Sequence, residues 1–486
     1  MACISKKENS DQYGFKRVPE CVEEITAEWC EKALKIGNYK PMISQETKVE
    51  SVEVKRLQNE LTGVMDGGGF SGSTLLRITP KYGGTTSGDE PESIICKISL
   101  GSDIKWSLFW RFIVYTQNGG GMDEVMMRNE MNFLQNAIPL MEGTDYKHPK
   151  IYYVGGNNKK GRGFMASVVF NTPTKVKSVI LMEDLKDYRS SAVGRILEKE
   201  DALLCMKNVA VLHAKFWGDN DKELKSKFRI CNSESNYRGA AHNKMSKYMR
   251  NQKVSSSEKI QDQIKKGMES EWKTSQLMVL DNDAKKPSWF RAEPLENESF
   301  SVLDDPLVKE MLSVFSKRLP DYDKKYLQPF LEKPIQTLMH GDFHGGNHMY
   351  GQGEKEGEIV AIDFQLAGTG RSLGDFTYLI LMSLSVHSFQ DIMDILKEYH
   401  NQLTSHGVQD YSWSELELDF ECSMIELLIM ELSMFTMMKP KTIMKMAEGW
   451  GEKSEDAKKI FGNGMYAKVF LIVTELYLKD KDNFMI

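Results

Sequence analysis

The sequence predicts an α+β chain in which a small antiparallel-sheet lobe leads into a larger helical lobe. Three observations predict it. Short β-rich runs separated by glycine-containing turns fill the first third of the chain. After Asp184 the apolar residues recur at helical spacing. Late in the chain two short apolar runs, 348–351 and 358–364, break the helical pattern as one strand hairpin. The domain reading follows: a flexible tail over 1–20, an N-terminal lobe over 21–184 with 103–121 inserted, and a helical C-terminal lobe over 185–486.

In order along the chain, residues 22–36 predict a helix capped by Thr26, with Trp29, Ala33 and Ile36 on one face. Residues 52–57, 73–79 and 93–100 predict three strands of a hairpin-built sheet, with the glycine cluster Gly67, Gly68, Gly69, Gly72 between the first two. The 123–138 segment carries Met127, Met131, Leu134 and Ile138 as one helical stripe. Strands are expected at 150–154, 163–170 and 178–183, and a long amphipathic helix at 197–217. The 231–300 stretch, rich in Ser, Asn and Lys, is helical in parts.

Composition excludes some classes. With 63 Lys+Arg against 69 Asp+Glu, the chain has no basic footprint for nucleic acid. Seven scattered cysteines without a CxxC pair argue against a disulfide framework or a cysteine zinc site. The most membrane-like stretch, 420–438, is broken by Glu421, Glu426 and Glu431, so no span is expected. A reduced, cytoplasmic location follows as the expectation.

The chemistry concentrates in a late pair of motifs. His340-Gly341-Asp342-Phe343-His344-Gly345-Gly346-Asn347 precedes one short strand, and Ile362-Asp363-Phe364-Gln365 ends the next. Phosphoryl transfer asks the protein for an oriented nucleophile and neutralised phosphate charge rather than covalent help. Magnesium prefers oxygen ligands, which Asn347 and Asp363 supply, and Asp342, left off the metal, can accept a proton from an attacking hydroxyl. His340, His344 and His348 stand at i, i+4, i+8, a spacing that would suit zinc on a helix, but Gly341, Gly345 and Gly346 oppose a helix there. His340 is expected to hold the loop by hydrogen bonds.

Three features of the first lobe complete the set. The glycines at 67–69, with Ser71 and Ser73, can bring bare amides and hydroxyls close to phosphates, although glycines between strands are more often just a turn. Lys97 sits in the very apolar run Ile95-Cys96-Lys97-Ile98; directed at phosphates it needs a carboxylate partner. Glu124 and Glu130 both qualify, each about 60° from the apolar stripe of its helix, so helix geometry leaves the choice open. Met182, Glu183 and Asp184 lie where the sheet passes into the helices, a place where strand backbone can meet a nucleobase.

These residues resemble the aminoglycoside phosphotransferase and choline kinase superfamily of small-molecule kinases, and most closely its ecdysteroid kinase-like branch. His340-Gly341-Asp342 with Asn347 is similar to the catalytic loop, and Ile362-Asp363-Phe364-Gln365 to the metal motif. Met182-Glu183-Asp184-Leu185 resembles the hinge, Leu212-His213-Ala214 the "LHA" helix, and Gly374-Asp375-Phe376 with Tyr378 the helix start after the metal motif. Arg128–Leu134 resembles the glutamate helix, which tips the choice to Glu130. The resemblance implies a protein-kinase-like two-lobe fold, ATP with Mg2+, and transfer to a hydroxyl of a small metabolite. It makes Asp342 the base, Asn347 and Asp363 the metal ligands, and Lys97 the phosphate contact.

The rivals are a protein kinase, a catalytically inactive kinase-like module and a metal-dependent hydrolase. The helix near Gly374 follows Asp363 too closely for a peptide-docking segment, and no APE is present. The acceptor pocket is expected from parts of 217–300 and 380–440, where Met382, Met393, Met424 and Met430 read more readily as helix core than as a soft apolar pocket.

Overall fold

The computed structural model describes residues 18–19, 21–57, 73–99, 122–157, 165–170, 176–190, 197–218, 220–228, 306–332, 337–384, 389–437 and 465–486. The glycine cluster with Ser71, the 103–121 segment and 231–300 lie outside the described residues. The chain gathers into two compact units. One takes Met1–Arg189 with Met349–Glu356 and Val360–Ala367; the other takes Ser190–His348, Gly357–Ile359 and Gly368–Ile486.

The first unit is built on a five-stranded sheet of β1 (Thr47–Arg56), β2 (Ser73–Gly84), β3 (Ile94–Ser99), β4 (Ile151–Gly156) and β5 (Ser178–Glu183). The order is β1-β2-β3-β5-β4, and every neighbouring pair is antiparallel. Helix α1 (Ala27–Ile36) covers one face. Thr26 caps it as its sequence position predicts, accepting the Trp29 N–H at 3.2 Å. Trp29, Cys30, Ala33 and Leu34 pack on Leu76, Ile78, Ile94, Cys96, Ile98, Val179 and Leu181. Ile36, expected on that stripe, is instead 53% exposed.

All six residues of β3 are buried, so both faces of this strand are covered. Alternation then sends Ile94, Cys96 and Ile98 to the α1 side and Ile95 and Lys97 to the other. Helix α2 (Met122–Asn132) ends in one π-helical turn, Phe133–Ala137, and a 3-10 turn carrying Pro139, so the helix predicted over 123–138 is regular only in its first part. The strand expected at 163–170 is a correction: Met165–Val169 forms a π-helical turn. β8 (His348–Gly351) and β9 (Ile359–Ala361) join the short strand β6 (Tyr188–Ser190) in a three-stranded sheet ordered β6-β8-β9. The second strand of the late hairpin stops at Ala361, two residues before Asp363.

The second unit is mainly helical. Its longer described helices are α3 (Lys199–Lys215), α4 (Pro306–Tyr322), α5 (Leu373–Ser383), α6 (Phe389–Ser405), α7 (Trp413–Met437) and α8 (Met465–Lys479). Two short strands, β7 (Thr337–Met339) and β10 (Gly368–Gly370), pair antiparallel with Gly368 opposite Met339 and Gly370 opposite Thr337. This pairing turns the chain at Arg371 and sends α5 back beside the residues that follow β7. Gly374 makes the close approach possible, because a Cβ there would stand 3.2 Å from the Met339 sulfur. Among the described residues, no helix is long and apolar enough to cross a membrane.

Candidate active site

The first unit assembles a charged cluster on the face of β3 opposite α1. Lys97 Nζ donates to Glu130 Oε1 on α2 at 2.8 Å and to Asp363 Oδ1 at 3.0 Å. The choice that helix geometry left open thus falls to Glu130. Both side chains of the inner pair are nearly closed off, at 10% and 8% exposure, whereas Asp363 keeps 36%. Burial works against the Lys97 charge, but the carboxylates of Asp363 and Glu130 outweigh it and raise the ammonium above its ordinary value. Glu130 is pushed up by burial, with Asp363 adding to the push and Lys97 opposing it. One cation therefore serves two carboxylates.

The segment that carries Asp363 is held by the same helix. Asn129 Nδ2 donates to the Ala367 carbonyl at 2.7 Å, Gln365 hydrogen-bonds Glu130, and the Phe133 and Phe364 rings stack at 4.4 Å. Asp363 itself has φ 64° and ψ 72°. A left-handed aspartate is uncommon and costs energy unless its surroundings impose it. Sequence reasoning missed Asn129, and a buried asparagine on a helix gives no signal in a single sequence.

The second unit assembles the 340–347 loop. Asn347 Nδ2 donates to the Asp342 carbonyl at 2.9 Å and to Asp342 Oδ2 at 3.1 Å. With its nitrogen spent on Asp342, Asn347 has its oxygen left as the donor for a cation. His344 Nδ1 accepts the Gly346 N–H at 3.0 Å, and its Nε2 stands 3.8 Å from Asp342 Oδ2. Gly341 has φ +82°, a left-handed turn that glycine adopts without the Cβ penalty.

One residue organises the start of the loop. Asp375, fully buried near the start of α5, accepts the His340 N–H at 2.8 Å and the Gly341 N–H at 2.9 Å. It also takes His213 Nε2 at 3.1 Å, and His213 Nδ1 faces the Tyr399 hydroxyl at 2.7 Å. His340 does hold the loop by hydrogen bonds: its Nδ1 receives the Asp342 N–H at 3.3 Å. Asp375 and His213 were visible in the GDF and LHA motifs, but sequence reasoning gave neither a role. Asp375→Ala strands three buried donors at once. It is expected to cost about 3 kcal/mol or more, read as a lower urea midpoint at unchanged m-value.

The zinc reading of the three histidines does not hold. Gly345–Asn347 is one 3-10 turn and His348 begins β8, so they share no helix. The His340 and His348 rings stack at 6.2 Å, and burial, with His340 beside it, lowers His348 to about 3. Among the described residues, no group of three or more His, Cys, Asp and Glu side chains is arranged to hold a metal. Magnesium asks for less. One or two carboxylates suffice when water and phosphates fill the remaining positions; the first unit offers the Asp363 carboxylate and the second, taken by itself, the Asn347 amide oxygen.

The 182–184 segment differs from its expectation of open backbone. β5 lies inside the sheet between β3 and β4, so Met182 pairs with both Ile95 and Ile151, and the Glu183 N–H donates to the Lys150 carbonyl at 2.9 Å. Asp184 is tied by Arg77 Nε at 2.7 Å and Ser93 Oγ at 2.6 Å. An open cleft of about 510 Å³ lies beside this cluster, lined by Arg77, Thr79, Glu92, Ser93 and Lys186; among the described residues, Lys97 is not part of its lining. In the region expected to form the acceptor pocket, Met424 is fully buried as core, and Glu421 accepts the Tyr322 hydroxyl at 2.8 Å.

Comparison with known proteins follows the same lines. The ecdysteroid kinase-like family model matches residues 67–409, well over half of the chain. No curated protein matches the sequence. Among solved structures, the AMP-bound complex of a spectinomycin phosphotransferase aligns over 92% of this chain and 98% of its own at 11% identity and a TM-score of 0.36. A microcompartment-associated aminopropanol kinase aligns over 90% and 95%, at 12% identity and a TM-score of 0.34. The Plasmodium vivax ethanolamine kinase aligns over 87% and 82%, at 12% identity and a TM-score of 0.32. The motif residues, the α+β architecture and the family match agree, and the chain belongs to the ecdysteroid kinase-like family.

Proposed function

We propose that this protein is an ATP- and Mg2+-dependent small-molecule kinase that transfers the γ-phosphate to a hydroxyl of a small metabolite. The observation that carries the reading is the Lys97–Glu130–Asp363 cluster. A nearly buried lysine kept charged by two carboxylates, one of them half open to solvent, is a poor device for stability alone. It is a good one for meeting phosphate oxygens, since Lys97 can turn its ammonium from Asp363 to a phosphate without leaving Glu130 unpaired. Magnesium, when bound, neutralises phosphate charge, and Asp363 and Asn347 are the residues that would hold it.

The remaining roles follow from the loop. Asp342 takes the proton of the attacking hydroxyl, and the Asn347 amide steadies the Asp342 carboxylate for that task. His340, through its backbone N–H on Asp375 and its ring on Asp342 N–H, fixes the loop. Gly67, Gly68, Gly69 and Ser71 are assigned to the phosphates, and Met182, Glu183 and Asp184 to the nucleobase end.

Calorimetry tests the reading. Wild-type protein is expected to bind ATP in the presence of magnesium, and Asp363→Ala to lose that binding by about tenfold or more, because a charged ligand is removed from the metal. Absence of nucleotide binding by the wild type would remove the proposal.

A further inference from the structure

The α5 helix holds the 340–347 loop at both of its ends. Near its N-terminus Asp375 takes the His340 and Gly341 N–H groups. At its C-terminus the Ser383 hydroxyl accepts the Gly345 N–H at 2.7 Å. Eight residues of helix separate the two anchors by about 12 Å. The loop covers this from His340 to Gly345, so moving either end of α5 moves the residues on both sides of Asp342.

The C-terminal end of a helix carries carbonyls with no partner in the helix and a partial negative charge. Here they are satisfied from elsewhere in the chain. The Ser383 carbonyl takes the Leu197 N–H at 2.5 Å. The Leu384 carbonyl takes Lys468 Nζ at 2.8 Å, and the carbonyls of Ile380 and Leu381 lie 3.4 Å from the same ammonium. Lys468 comes from α8, and it lies beyond residues 67–409, the part that the family model matches. Burial draws its ammonium down to about 8, which marks a cation placed where water does little for it. A lysine set among apolar helices at that cost is spent on the end of one helix, and that helix clamps the loop.

We propose that Lys468 is a positioning residue for the reaction: its ammonium fixes the last turn of α5 and through Ser383 holds the loop that carries Asp342. The inference rests on the proposed function only in taking Asp342 as the base; the clamp itself is a matter of structure.

Hydrogen exchange followed by mass spectrometry tests it on the full chain. In Lys468→Met, peptides spanning 341–347 are expected to exchange about tenfold faster, the loss of one hydrogen bond to a charged group. Peptides from β3 and α2 in the first unit are expected to be unchanged. MgATP affinity by calorimetry is expected to stay within about twofold, while turnover of labelled ATP with a metabolite extract falls with no change in KM for ATP. Lys468→Arg, which keeps the charge and the donors, is expected to restore the protection. If Lys468→Met does not fold, Lys468→Gln carries the same comparison. Unchanged exchange at 341–347, or faster exchange spread equally over both units, overturns the proposal. Wild-type protein that binds no MgATP removes the proposed function and leaves the exchange result to stand by itself.

Discussion

Asp342→Asn is expected to reduce phosphate transfer by about 10²–10⁴-fold while MgATP affinity stays within about twofold, since a positioned general base supplies about that factor. The substitution preserves shape and the acceptor oxygen that Asn347 Nδ2 now reaches at 3.1 Å. It removes only the capacity to take a proton. The loop's other supports do not pass through this side chain: Asp375 holds the backbone of His340 and Gly341, and Ser383 holds that of Gly345. A fall in kcat with an unchanged KM for ATP identifies an interaction made in the transition state. Turnover equal to wild type would take the role of base away from Asp342.

Lys97→Met is expected to have the largest effect on stability and to abolish nucleotide binding as well. Lys97 and Glu130 are 10% and 8% exposed, and breaking a buried pair by removing one partner costs about 3–5 kcal/mol. Asp363, at 36% exposure, is screened by water and adds little to that figure. Glu130 has a way out, because it can take a proton. Its carboxyl is already raised by burial with Asp363 nearby, and losing Lys97 removes the influence that opposes the rise.

The sign of the pH dependence follows. A carboxyl whose folded value lies above its unfolded one binds protons on folding. Its presence then destabilises the fold at high pH, and the loss is recovered as pH falls through the raised value toward about 4.3. The urea-midpoint gap between Lys97→Met and wild type is therefore expected to narrow from pH 8 to pH 5. A gap that stays constant or widens on acidification would show that Glu130 is not the group left unpaired.

Much of this arrangement was legible in the sequence because its signals are local. Thr26 in front of a helical stripe, strand runs between glycine turns, and the His340–Asn347 and Ile362–Gln365 motifs each occupy a few residues in a row. The structure places Lys97 beside both Glu130 and Asp363, and Asp342 beside Asn347. What escaped were features decided by tertiary packing. Within the 163–170 run, expected as a strand, Met165–Val169 wind into a π-helical turn, and Pro139 with the preceding π turn shortens a helix whose apolar stripe continues. Three short strands, β6, β7 and β10, are only three residues long, below the length at which a period can be read. Asp375, His213, Asn129 and Lys468 act across 34 to more than 200 residues of sequence, so their roles become visible only when the chain is folded. The paired backbone of Met182 and Glu183 is of the same kind: a strand's place in the middle of a sheet is fixed by its partners, Ile95 and Ile151, and not by its own residues.

The proposed reaction is transfer of phosphate from MgATP to a small hydroxylated molecule, with Asp342 as the base. Incubating the protein with γ-labelled ATP, magnesium and a metabolite extract, and comparing wild type with Asp342→Asn, tests it most directly. Wild type is expected to yield a labelled small-molecule phosphoester, and Asp342→Asn to lose it. No labelled small molecule with wild type, or the same product in equal yield from both proteins, would contradict it.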